Sequence, residues 1–214
     1  GLHPGTFESP WDDTVNLLGN GTARLYGTPT ARPDGWGGTG GTVSKETGTG
    51  NWVTAGQSLK ITGSLADAQV FASRAYTSWY VPKRRSTFSA TAWIRITALS
   101  GGSVGFRITR GGVAVGETLA YQSPLNKWVQ LKIEGLNRSA DEGTQQTLGI
   151  ELVAIGAITL TAYVDSFQLS PSFTARPITE GSNAARIWQQ ALDWLDEKRT
   201  TPMTYTIQTA DLER

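Results

Sequence analysis

The chain has no cysteine, which excludes disulfides and thiol chemistry without fixing the compartment. It has one histidine, His3, close to the first residue. No Ser-His-Asp arrangement and no histidine-based metal site can therefore be assembled. No apolar run approaches the length of a membrane-spanning helix, so no membrane span, and no membrane partner, is expected. An excess of one charge is also missing. Nineteen Lys and Arg stand against eighteen Asp and Glu, for a net charge of +1, and the longest basic block is Lys83-Arg84-Arg85. A nucleic-acid surface needs a broad cationic stripe, so a nucleic-acid partner is not expected either. The Gly-rich run at 35–50 lacks the lysine of a phosphate loop, and no helix pattern follows it. The first residue is glycine and no signal peptide precedes it, which suggests a chain processed or excised from something longer.

What is present is glycine, 25 residues of it, and abundant threonine, a composition suited to many short strands and turns. The clearest strand pattern is 86–97, STFSATAWIRIT. In steps of two it sets Phe88, Ala90, Ala92, Ile94 and Ile96 on one face. The other face is polar except for Trp93, which sits between threonine and arginine. Alternation recurs at 57–62, 68–77, 103–109, 113–121, 127–134, 147–153 and 158–169. With a short strand at 42–45, this predicts about nine strands and no helix among them, an all-β antiparallel sandwich or jelly roll. Trp36, after the turn PDGW, is expected to plug a core edge.

Beyond Pro171 the character changes. Ser182 can cap a helix over 183–199, and Ile187, Trp188, Ala191, Leu192 and Leu195 form its apolar stripe. A short strand at 204–209 follows. The expected division is thus a sandwich domain at 1–172 and a helix–strand extension at 173–214. The helix either packs on the sandwich, joins other copies, or meets a neighbouring domain.

Chemistry points away from catalysis. The acid pairs Asp12-Asp13, Asp141-Glu142 and Asp196-Glu197 fall in loops or on a helix surface, where solvated acids are common. A glycosidase needs two carboxylates facing a cleft, and only Glu151 is so placed. A sugar site uses what the chain has, because sugars present apolar CH faces and a ring of hydroxyls. Trp93 and Arg95 supply a flat aromatic and a planar polar group. Arg107, Gln130 and Glu151 join them if their strands share one outward face, with Trp79 and Tyr80 at the rim. Trp128 and Tyr163 are read as structural. The competing reading is that the tail helix or the Gly-rich loop covers Trp93.

GTFE at 5–8, PDGW at 33–36 and AYVDSFQL at 162–169, with QSLKIT and STFSATAWIRIT between them, resemble the jelly-roll carbohydrate-binding modules that accompany polysaccharide hydrolases. The resemblance covers about residues 5–170. It implies a non-catalytic domain that binds an oligo- or polysaccharide on a concave sheet or edge loop. It also implies a structural calcium, with Glu8 and Asp165 as carboxylate ligands and backbone carbonyls completing the shell. The segment 178–214 resembles the helix and strand of tail-tip and hub proteins of tailed bacteriophages. That implies a location in a virion, with tail domains or further copies meeting the 183–199 helix. The alternatives are a structural or oligomerisation domain of a tail, without sugar binding, or an accessory module of a secreted glycoside hydrolase.

Overall fold

The computed structural model describes residues 16–18, 21, 23–27, 32–54, 56–81 and 86–175, apart from the side chains of 76–80. The helix expected at 183–199, the strand at 204–209 and Glu8 lie outside the described residues. Seven strands are present there: β1 Thr42–Glu46, β2 Ser58–Leu65, β3 Val70–Tyr80, β4 Thr87–Arg110, β5 Val113–Tyr121, β6 Trp128–Asn137 and β7 Gln145–Ser170. Every pairing is antiparallel. The expected count of nine is corrected to seven because two pairs of expected strands fuse. Segments 86–97 and 103–109 are both part of the 24-residue β4, and 147–153 and 158–169 both belong to the 26-residue β7.

β4 and β7 run together along nearly their whole length, from Ser89 opposite Ser170 to Arg110 opposite Leu148. Around the middle of this ribbon lie Gly101, Gly102 and Gly156. Gly101 and Gly156 take φ of 91° and 75°, a left-handed region that only glycine enters cheaply. A Cβ on Gly102 would overlap the carbonyl oxygen of Ile155. The ribbon therefore changes neighbours at this point instead of turning back on itself. On one side of the bend the sheet reads β1–β2–β7–β4–β6. On the other, β3 flanks β7 and β5 flanks β4.

Both halves bury the same face. Phe88, Ala92, Ile94 and Ile96 before the bend share one apolar cluster with Val104, Phe106 and Ile108 beyond it. Leu148, Ile150 and Leu152 join from β7, as do Val164 and Phe167. One cluster lined by two half-sheets fits a β-sandwich. Each large side chain taken fully from water contributes about 1.5–3 kcal/mol, so this shared face is the main source of stability. Trp36 does plug an edge: only 7% exposed, it stacks on Phe167 with ring centroids 4.4 Å apart. Asn16 ties the chain before β1 to the end of β7, donating to Phe167 O at 2.9 Å and accepting from Leu169 N at 3.2 Å.

Asp141 departs from the solvated acid that its loop position implies. It is buried in the one-turn 3-10 helix Ser139–Asp141. Arg110 from the end of β4 reaches it at 2.6 Å, and Arg138 Nε donates to it at 2.7 Å. Removing one carboxylate leaves two guanidinium groups facing each other without an anion. Asp141→Ala is expected to lower unfolding free energy by about 2–3 kcal/mol in a urea titration. A loss under about 0.5 kcal/mol is the behaviour of a solvated surface acid and would refute this role. In the same titration Gly102→Ala is expected to cost more than about 3 kcal/mol, because the clash is with backbone and not with a side chain that can move.

Candidate functional site

The outward face of the β1–β2–β7–β4–β6 half carries the candidate site. Register sets Ser44, Lys60, Tyr163, Arg95 and Trp128 side by side in one row across five strands. In the next row Trp93 stands opposite Gln130. Directly opposed residues point to the same side of a sheet, so these two side chains are neighbours. Both are half-buried, and no described protein group hydrogen-bonds to either side chain.

Tyr163 lies between two cations. Lys60 Nζ sits 5.8 Å from its ring centroid and the Arg95 guanidinium 5.7 Å, within reach of cation–π attraction. Arg95 has a second task. Its Nη1 donates to Gly50 O and Asn51 Oδ1, each at 2.9 Å, while its buried Nε has no partner. Trp128 Nε1 donates to the same Gly50 carbonyl at 3.0 Å. Trp128, read from sequence as purely structural, therefore works with Arg95 to hold the loop between β1 and β2.

That loop is anchored at three places. Ser58 at the start of β2 donates to Asn51 O. Asp165 on β7 accepts from the Val53 amide, from Thr54 N at 2.8 Å and from Thr54 Oγ1 at 2.7 Å. Gly50 then meets Arg95 on β4 and Trp128 on β6. The Gly-rich stretch thus runs from the β2 side across β7 to β4 and β6, over the outward face. Trp93 is accordingly neither bare nor sealed. The far end of this face is closed by the chain leaving β7: Ser89 donates to Thr174 O at 2.9 Å, and Ala175 N donates to Glu134 at 2.6 Å.

The remaining expected site residues lie across the bend. Arg107 and Glu151 are register partners on the other half-sheet, joined by Nη2–Oε2 at 2.7 Å and Nε–Oε2 at 2.9 Å. Arg95 lies in the stretch of β4 that pairs with β6, and Arg107 in the stretch beyond the bend that pairs with β5. The structure brings Trp93, Arg95 and Gln130 together but does not bring Arg107 and Glu151 to them. The backbone of Trp79 and Tyr80 pairs with Gln146 and Gln145, again on the Arg107 side, and their side chains lie outside the described residues. Sequence reading missed Lys60, Asn51, Trp128 and Tyr163 as members of the face. The alternation marks Lys60, Trp128 and Tyr163 as outward, but only the register shows that they share a row with Arg95.

Asp165 is wholly buried, and no described cationic side chain pairs with it. Its charge is met by amide and hydroxyl donors, with Ser166 Oγ more distant at 3.4 Å. Tyr26 lies close enough to be affected. Burial first, and the charge of Asp165 second, push its phenol well above the ordinary tyrosine range, and its buried hydroxyl has no hydrogen-bond partner among the described residues. Both acceptor sites of Oδ2 are taken by the Val53 and Thr54 amides, so only Oδ1, which accepts from Thr54 Oγ1, keeps capacity for a calcium ion. Among the described residues no group of three or more acidic or histidine side chains gathers around a common point.

No family model matches the chain, and no curated protein matches it. Among solved structures it is similar to TmCBM61 in complex with β-1,4-galactotriose, at 13% identity over 73% of this chain and 98% of that one, with a TM-score of 0.46. It is similar to the N-terminal CBM22-1–CBM22-2 tandem domain of Paenibacillus barcinonensis Xyn10C, at 20% identity over 79% of this chain and 49% of that one, TM-score 0.47. The third is the enzymatically active domain of bacteriophage CBA120 tailspike protein 4, at 14% identity over 73% of this chain and 21% of the tailspike, TM-score 0.45. With TM-scores below 0.5, none of these likenesses carries an argument about what this chain binds.

Proposed function

We propose that the chain is a non-catalytic carbohydrate-binding module of a phage tail protein, recognising a bacterial cell-surface or polysaccharide glycan. The observation that carries the reading is the Trp93–Gln130 pair. An indole and a primary amide stand side by side on a sheet face with their polar groups unused by the described protein. The indole offers a flat apolar surface for a pyranose, and the amide offers both a donor and an acceptor for hydroxyls. Arg95 and Trp128 border the pair and hold the loop that walls it. A non-catalytic role is supported by Glu151, whose carboxylate is committed to Arg107. The tail setting, and hence a virion location, is supported by the likeness of 178–214 to tail-tip and hub proteins.

A second reading is favoured by the loop that crosses this face: a structural tail domain that docks other subunits and binds no sugar. Glycan-array binding separates the two. Trp93→Ala, with its circular dichroism unchanged, is expected to weaken array binding at least about tenfold. Full retention removes Trp93 from the site. Silence on every glycan, together with oligomers by light scattering, supports the structural domain instead.

The proposal extends to a structural calcium held by Asp165 and Glu8, supported by the buried carboxylate that lacks a cationic partner among the described residues. Such an ion would neutralise Asp165 and fix the Val53–Thr54 turn beside it. Chelation with EDTA is expected to lower Tm by about 5 °C or more, with recovery on adding calcium. An unchanged Tm assigns the anchoring of Asp165 to the loop donors alone.

A further inference from the structure

We infer that the glycan taken by this face is anionic, a chain carrying uronic-acid carboxylates, and that Lys60 and Arg95 receive them over Tyr163. The inference rests on the glycan-binding reading and adds the class of sugar. A neutral glycan is matched by a mixture of donors and acceptors, because every hydroxyl can serve as both. This face offers an excess of donors. Among the described residues Arg95 bonds only to two neutral oxygens, both through Nη1, and forms no ion pair; its Nε is buried, so Nη2 is the donor left for a ligand. Lys60 touches the Tyr163 ring and no carboxylate. Lys132, exposed on the same face of β6 opposite Thr91, has no ion pair among the described residues either.

The acids of the same face hydrogen-bond to neutral donors and form no ion pair with these cations among the described residues. Glu46 takes the Gly48 amide at 2.7 Å, Glu134 takes the Ala175 amide at 2.6 Å, and Asp165 is buried beneath the loop. Lys60, Arg95 and Lys132 therefore have no ion-pair partner among the described residues. Lys60 and Arg95 stand on either side of the β7 strand, about 10 Å apart at the backbone, so both can meet one sugar chain laid across the sheet. A guanidinium with free N–H groups is the side chain best matched to a carboxylate, and its position over an aromatic ring limits its freedom.

The test measures affinity of the full chain for polygalacturonate, for neutral galactan and xylan, and for polyglutamate as an anion without sugar rings. Polygalacturonate is expected to bind at least about tenfold more tightly than either neutral polymer, with the advantage falling as salt is raised from low to physiological ionic strength. Lys60→Glu is expected to remove that advantage, and Lys60→Gln to reduce it. Equal or tighter binding of galactan or xylan overturns the anionic assignment while leaving the glycan-binding reading in place. Polyglutamate binding as tightly as polygalacturonate overturns it as well, since charge alone would then suffice. No binding to any polysaccharide overturns both readings together.

Discussion

Backbone pairing between β4 and β7 continues through a bend, and the placement of every other element follows from it. A ribbon of two strands this long cannot bury its apolar face by itself. It gains a core only by folding over, and folding over requires residues that leave the extended region without a side-chain clash. Gly101, Gly102 and Gly156 provide this. The partners then sort by which half of the ribbon they meet: β2 and β6 before the bend, β3 and β5 after it. One core face and two outward faces result. Only one outward face carries Trp93.

The second constraint is the hold of Asp165 on the loop between β1 and β2. A carboxylate accepting from two amides and a hydroxyl forms charge-assisted bonds, which are stronger than neutral ones. The anchored segment, 53–54, lies 111 to 112 residues away in sequence. This contact converts a glycine-rich stretch with little preference of its own into a wall with a defined course. Gly50, at φ 82°, turns its carbonyl to where Arg95 and Trp128 both donate. The floor and the wall of the candidate site are therefore one bonded unit.

Much of the core was legible in the sequence, because a period of two survives any arrangement of the strands. Phe88, Ala90, Ala92, Ile94 and Ile96, expected inward, are all essentially unexposed. The outward face was legible only strand by strand. Alternation says that Arg95 and Arg107 both point away from the core, but not that a bend divides them. The alternation is interrupted between 97 and 103 and again between 153 and 158, and local pattern does not tell a bend within a strand from a break between two, so nine strands were expected where seven are found among the described residues. Asp141 illustrates the same limit. Its neighbours in sequence suggest a solvated loop, while Arg110, which buries it, arrives from the end of another strand. Register and long-range ion pairs are tertiary facts, and local pattern does not carry them.

The double duty of Arg95 has a consequence for binding. Its Nη1 holds Gly50 and Asn51, its guanidinium lies over Tyr163, and its Nε is buried, which leaves Nη2 as the edge open to a ligand. A ligand that uses only the free edge leaves the wall in place and adds to the order already present. A ligand that needs Nη1 must replace two hydrogen bonds and release the loop, forfeiting about 1–3 kcal/mol for each charged bond left unmade. Tyr163 and the Trp128–Gly50 bond both oppose that movement. The arrangement thus favours ligands that approach Arg95 from the Trp93 and Lys60 sides, with the loop kept closed. On the proposed glycan-binding reading, specificity is set as much by what the loop already occupies as by what the strands present.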